Sequence, residues 1–311
     1  MKRFLLIFLL MALVVVAGDR LIGKVLRNAY EQIDTGEIGR VNYMCHKLHG
    51  CDVLIFGSSR ALHHYVPSII TDSLALSCYN CGMEGQGIFN NYALMRAVLR
   101  HNNPKLIVYE LTLDYDAQDS VSYSIDFTYI RRQAALPYCD SLLNLVDAEW
   151  RYGKLSSIYP YNSVLARLVM TPDSSQYESH DVDCGYIPQY HQLKPHVPKF
   201  QFKKHNFDPW KLHYLMKMCR EQKARLVVVT SPRFMAQHNL KQLHAPLARL
   251  LAQHDVPYIF MGQDASFNTD FTLWDDEGHL NHKGAQLFTA RFLQRLHEVR
   301  PSLFKTINSK K

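Results

Sequence analysis

The sequence predicts an α/β fold in which a parallel sheet is wrapped by helices. Short apolar runs alternate with amphipathic helical stretches, the pattern of strands joined by helical crossovers. A serine, Ser59, stands just after the first such run, and Asp276 and His279 lie just before the last helix. Reactive groups in open parallel sheets collect beyond the carboxyl ends of the strands, so this placement fits the same fold.

The elements follow in order. Val53-Leu54-Ile55-Phe56 reads as a buried strand, and residues 60–74 as a helix interrupted at Pro67. Residues 75–79 form a short second strand, 88–100 a helix and 106–111 a third strand. The alternation lapses over 114–206 and resumes with a helix at 209–222, a strand at 225–230 and a helix at 240–253. A strand at 256–260 and an amphipathic helix at 282–299 complete it. Residues 114–206 are too long for a plain loop and are read as an insertion or cap. They are dense in aromatics from Tyr115 to Tyr190. Most of these suit the core of a small helical cap, and a few are expected to line the site.

The N-terminus reads as a targeting segment. Lys2-Arg3 precede an unbroken apolar run from Phe4 to Ala17, the length of a signal-peptide core. Two versions stay open: cleavage after Val15 and Ala17, or an uncleaved anchor in which Leu21 and Ile22 prolong the helix past Asp19-Arg20. The expected organisation is a leader at 1–22, a helical connector at 23–50 and one domain over 51–311.

A net charge of +7 is modest for 311 residues, and its densest spot, Lys203-Lys204, is too short for a nucleic-acid arm. No nucleic-acid partner is expected. The sixteen histidines are dispersed without a ligand motif, so no metal or other cofactor is expected either. Seven cysteines fit no disulfide framework. Cys78-Tyr79-Asn80-Cys81 is read as buried small residues or a local pairing, and Cys45 with Cys51 as a further candidate pair.

Ser59, His279 and Asp276 are the three groups of a nucleophilic triad: hydroxyl, base and orienting carboxylate. With Gly57-Ser58-Ser59-Arg60, the block Asn80-Cys81-Gly82-Met83-Glu84-Gly85-Gln86-Gly87 and Asp276-x-x-His279-Leu280-Asn281, the chain resembles the SGNH (GDSL-like) hydrolase superfamily. Within it, the chain is most similar to exported proteins of bacterial cell-envelope polysaccharides. The resemblance covers roughly 50–113 and 207–300 and implies a flavodoxin-like three-layer sandwich. It implies Ser59 as nucleophile, and an oxyanion hole from the Ser59 and Gly85 N–H groups, with Gly82 as second choice.

The superfamily's asparagine after the third strand is missing here, where Leu111-Thr112-Leu113-Asp114 stand. Asn80, Asn90 and Asn91 are candidate substitutes, and the alternative is a hole with two donors. Asn80, His63 and His64 are candidate pocket residues. Arg60 is read as decorating its helix, with an anionic substrate group as the alternative partner. Ser231-Pro232-Arg233 is read as structural, and Asp275 has the wrong spacing for the orienting acid.

Two activities share this chemistry: an esterase removing acyl (acetyl) groups from envelope or other polysaccharide, and an O-acyltransferase using a sugar hydroxyl as acceptor. The partners implied are an acylated glycan, a membrane-bound acyltransferase and, through the leader, a membrane. The implied location is the cell envelope, as a periplasmic domain anchored in the inner membrane or as a secreted one. A third reading is a non-catalytic glycan-binding or scaffold protein on the same fold.

Overall fold

The computed structural model describes residues 1–112, 131, 141, 143–144, 149–162, 164–165, 182–195, 209–222, 225–234 and 240–304. Much of the 114–206 insertion, including Tyr115, Tyr123 and Tyr138, lies outside them. The chain groups into two compact units, Met1–Lys47 with Ile125–Ser179 and Leu48–Ser124 with His180–Lys311.

The first unit begins with α1 (Lys2–Gln32), a single 31-residue helix. The leader and the start of the expected connector are therefore one continuous element, since nothing from Gly18 to Gln32 breaks a helix. Its large apolar residues from Phe4 to Val16 are exposed, and the helix as a whole is long and apolar enough to cross a bilayer. α2 (Gly36–His46) follows, and Asn42 donates to the Tyr30 and Ile33 carbonyls, closing the bend between the two helices. Tyr30 also meets the Tyr161 ring edge-on, 6.0 Å between centroids. Of the described insertion aromatics, Trp150, Tyr161 and Tyr186 are buried, whereas Tyr152 and Tyr190 are exposed.

The second unit holds five parallel strands: β1 (Val53–Gly57), β2 (Cys78–Asn80), β3 (Leu106–Glu110), β4 (Leu226–Thr230) and β5 (Tyr258–Phe260). Their order is β2-β1-β3-β4-β5, the flavodoxin-like order. The strands come as the sequence predicts, within one to three residues at their ends. The helices are α3 (Ser59–His64), α4 (Pro67–Leu74), α5 (Ile88–Val98), α6 (Pro209–Gln222), α7 (Leu240–Gln253) and α8 (His282–Val299). Pro67 divides the stretch after β1 by opening α4 at a position where its missing N–H costs nothing.

Every residue of β1, β3 and β4 is buried, as a parallel sheet covered on both faces requires. Val53, Ile55, Leu106, Val108, Val227, Val229 and Ile259 pack with Tyr65, Ile70, Phe288 and Phe292 of the α3–α4–α8 layer. By strand alternation Leu54, Phe56, Ile107, Tyr109 and Val228 face the other way. The order reverses at β1, which pairs with β2 on one side and β3 on the other, and Ser59 lies two residues beyond its end. That is the crevice where open α/β sheets bind ligands.

Candidate active site

Ser59 is the first residue of α3, directly after the N-cap Ser58. A first-turn N–H has no intrahelical acceptor, so the Ser59 N–H is available to an anion beside its own hydroxyl. The Ser58 hydroxyl is paired with Thr112 Oγ1 at 3.1 Å, which ties the turn to the end of β3.

His279 reaches Ser59 from the loop between β5 and α8. Its Nε2 lies 2.8 Å from Ser59 Oγ, and its Nδ1 lies 3.0 Å from both Asp276 oxygens. The carboxylate assigns the tautomer: Nδ1–H donates to Asp276, leaving Nε2 to accept from the serine. Asp276 Oδ1 also accepts from the Gly278 and His279 backbone N–H groups at 2.6 and 2.8 Å. Burial works to raise the Asp276 carboxyl, but the His279 bond and charge and the two N–H donors outweigh it and lower it to about 2. Asp275 turns away and instead accepts from the His191 backbone N–H at 2.9 Å. Ser59 is only 2% exposed, so the ring of His279, about one quarter exposed, is the more open side of the pair.

The second block runs along the end of β1. Cys81 and Met83 N–H groups donate to the Ile55 and Gly57 carbonyls. Gly82 sits so tightly on α3 that a Cβ there would lie 2.4 Å from the Leu62 nitrogen. Its N–H is taken by Asn80 Oδ1 at 2.9 Å, which removes it as an oxyanion donor. Gly85 follows with φ +61°, the conformation that glycine adopts without strain.

The asparagine candidates are committed elsewhere. Asn80 is fully buried and its amide donates to the Ala61 and Tyr65 carbonyls at 2.7 and 3.1 Å, bracing α3 rather than lining a pocket. Asn90 and Asn91 donate back to Gln86 and Gly87 at the start of α5.

The two adjacent histidines part company. His63 lies beside His279, the two rings edge-on at 5.6 Å between centroids. Its Nε2 meets Glu84 Oε1 at 2.6 Å and its Nδ1 meets the Ile187 carbonyl at 2.7 Å. Both ring nitrogens thus face oxygens, and the Gln189 amide nitrogen lies 3.4 and 3.3 Å from Nδ1 and Nε2. Burial works to raise the Glu84 carboxyl, but the His63 bond and the neighbouring imidazole charges carry it below its ordinary value.

His64 instead points inward and is fully buried. Its Nε2 accepts the Leu280 N–H at 3.1 Å, so Nδ1 carries the proton and donates to Ser231 Oγ at 2.9 Å. Ser231 Oγ donates in turn to Glu110 Oε1 at 2.7 Å, and Tyr65 donates to Glu110 Oε2 at 2.5 Å. Arg60 completes this buried group: it donates to the Ser231 and Pro232 carbonyls and stands 4.0 Å from Glu110. Arg60 is therefore neither a surface decoration nor a substrate ligand. Burial raises the Glu110 carboxyl against the pull of Arg60, Tyr65 and Ser231, and burial lowers His64 with help from Arg60.

Sequence reasoning missed Glu84, Glu110 and the segment 187–193. Glu110 carried a signal, because a carboxylate closing an otherwise apolar buried strand must be partnered. The segment carried none. It runs beside the site loop, with Gln189 O accepting from His282 N–H, His191 O from Asn281 Nδ2, and Leu193 N–H donating to Trp274 O. Among the described residues no cluster of side chains is fit to hold a metal ion.

No protein-family model matches this sequence, and no curated protein matches it. Among solved structures the chain is similar to one from Streptococcus pneumonia described as "a putative platelet activating factor". The likeness has a TM-score of 0.42 and 10% identity, over 90% of this chain and 98% of that one. At that level it carries no functional argument, which rests on the geometry above.

Proposed function

We propose that this chain is an exported SGNH-type serine enzyme, an esterase or O-acyltransferase acting on acyl esters, foremost acetyl esters, of cell-envelope polysaccharide. One observation carries the reading: Ser59 Oγ, His279 Nε2 and His279 Nδ1 to Asp276 form a continuous hydrogen-bonded line with each proton assigned by its partner. In the proposed reaction His279 takes the Ser59 proton as Oγ attacks the ester carbonyl. The oxyanion forms against the Ser59 and Gly85 N–H groups, and His279 returns the proton to the leaving alcohol. Water or a sugar hydroxyl then accepts the acyl group by the same steps reversed. α1 would hold the domain on the outer face of the inner membrane, near a membrane acyltransferase able to supply acyl groups.

The reading is tested with a fluorophosphonate probe on the full chain in detergent or nanodiscs. Wild type labels, Ser59→Ala and His279→Ala do not, and Asp276→Asn labels on the order of 10⁴-fold more slowly. A folded wild type that does not label overturns it and favours a non-catalytic glycan-binding role. The specific support for that second reading is Thr112 after β3, bonded to Ser58, where the superfamily places an asparagine.

A further inference from the structure

Beside α1 the first unit carries a short turn, residues 150–157, which the proposed chemistry leaves without a role. We infer that this turn is a membrane-interface anchor, seating Tyr152 and Leu155 at the headgroup–acyl boundary of an anionic phospholipid bilayer. The inference rests on reading α1 as a membrane helix and goes beyond it.

The argument begins with length. The unbroken apolar run from Phe4 to Ala17 rises about 21 Å as a helix, short of the roughly 30 Å hydrocarbon core. If α1 spans, Asp19 and Arg20 come to the edge of that core, where charged groups are costly unless their hydrogen bonds are met. The turn meets them. The Asp19 carboxylate accepts from the Ser156 hydroxyl and, at 2.8 Å, from the Ser157 N–H. Arg20 donates to Ser157 Oγ at 2.6 Å, to the Leu155 carbonyl at 3.1 Å and to Asp19 at 3.3 Å. One helical turn on, Gly23 admits Ser157 so closely that a Cβ on it would lie 2.3 Å from the Ser157 Cβ. The turn is therefore fixed to α1 at residues 19–23 and shares their depth.

Its outward residues are the types that depth selects. Tyr152 and Leu155 are each 73% exposed, and Arg151 and Lys154 are exposed between and beside them. Trp150 is buried and fastens the turn to its own unit. Leu21, Ile22 and Val25 are exposed on α1 at the same depth, and Lys24 lies among them. Tyrosine with an apolar body and wet hydroxyl, and lysine or arginine reaching to anionic headgroups, characterise membrane interfaces.

The test places one tryptophan reporter at a time in the full chain, reconstituted in nanodiscs containing phosphatidylglycerol and brominated phospholipids. Phe8→Trp reports α1, and Tyr152→Trp reports the turn, each measured as the difference from the parent chain. Phe8→Trp is expected to lose most of its added emission to deeply brominated lipid, and Tyr152→Trp to shallowly brominated lipid. The Tyr152→Trp quenching falls in purely zwitterionic discs or when Arg151 and Lys154 are changed to Gln. A quenched Phe8→Trp with an unquenched Tyr152→Trp overturns the inference. If that unquenched reporter is also shielded from acrylamide, a protein partner covers the turn instead. An unquenched Phe8→Trp overturns the membrane reading of α1 itself and the anchor with it.

Discussion

At the scale of single residues, the neighbours His63 and His64 are both buried but meet different partners, His63 the Glu84 carboxylate and His64 the Ser231 hydroxyl. His64 is held neutral, its ordinary value of 6.5 lowered chiefly by burial. The unfolded chain takes up a proton below 6.5 that the folded His64 refuses, so stability falls as pH drops below that value. The slope reaches about 1.4 kcal/mol per pH unit until the folded value is passed. Urea denaturation at pH 7 and pH 5.5 should show this slope, and His64→Leu should flatten it while lowering stability at pH 7 by about 1–3 kcal/mol through the orphaned Leu280 N–H. Asp276 acts in a lower window. Its stabilisation is complete above the ordinary 3.8 and is lost as pH falls through about 2. Glu110 has the opposite sign: with its value raised above 4.5, its contribution is lost as pH rises through the folded value.

At the scale of elements, the loop from Trp274 to Asn281 is the decisive piece, because it carries both Asp276 and His279. Asn281 closes it. Its Oδ1 caps α8 through the Gly284 N–H at 3.0 Å, and its Nδ2 donates to the Thr272, Trp274 and His191 carbonyls. Asn281→Ala should cost about 2–3 kcal/mol, a cap plus orphaned carbonyls, and slow probe labelling. Asn281→Asp keeps the capping oxygen but loses the donors, and should fall between wild type and Ala in both chemical denaturation and labelling. The α3–β2 junction is equally tight: Gly82→Ala should destabilise by about 1–3 kcal/mol through overpacking on Leu62. An unchanged denaturation midpoint would show that α3 can yield.

At the scale of the whole molecule, no disulfide is formed by Cys45, Cys51, Cys78, Cys81, Cys184 or Cys219 among the described residues. The expected pairing of Cys45 with Cys51 is absent, and the C-x-x-C pair is two buried thiols in and beside β2, so neither stabilises the fold. Cys139 lies outside the described residues. Burial raises Cys51 to about 11 and Cys219 to about 12, so both are poor nucleophiles when folded. The melting temperature should not change on adding reductant, and alkylation without reductant in denaturant should modify all six described thiols, as mass spectrometry would read. A reductant-dependent melting temperature would show that pairs form after export.

The sequence by itself determined the strand and helix succession, the serine after β1, and the D-x-x-H loop before α8, because these depend on local periodicity and short spacings. It also marked the apolar N-terminal helix by composition alone. Tertiary structure alone decided that His279 reaches Ser59 across 220 residues of chain and that Arg60 turns inward to Glu110 and Ser231. The physical reason is that hydrogen-bond partners distant in sequence are chosen by packing. Periodicity tells which face of a strand or helix is buried, but not which polar group from another element will meet it there.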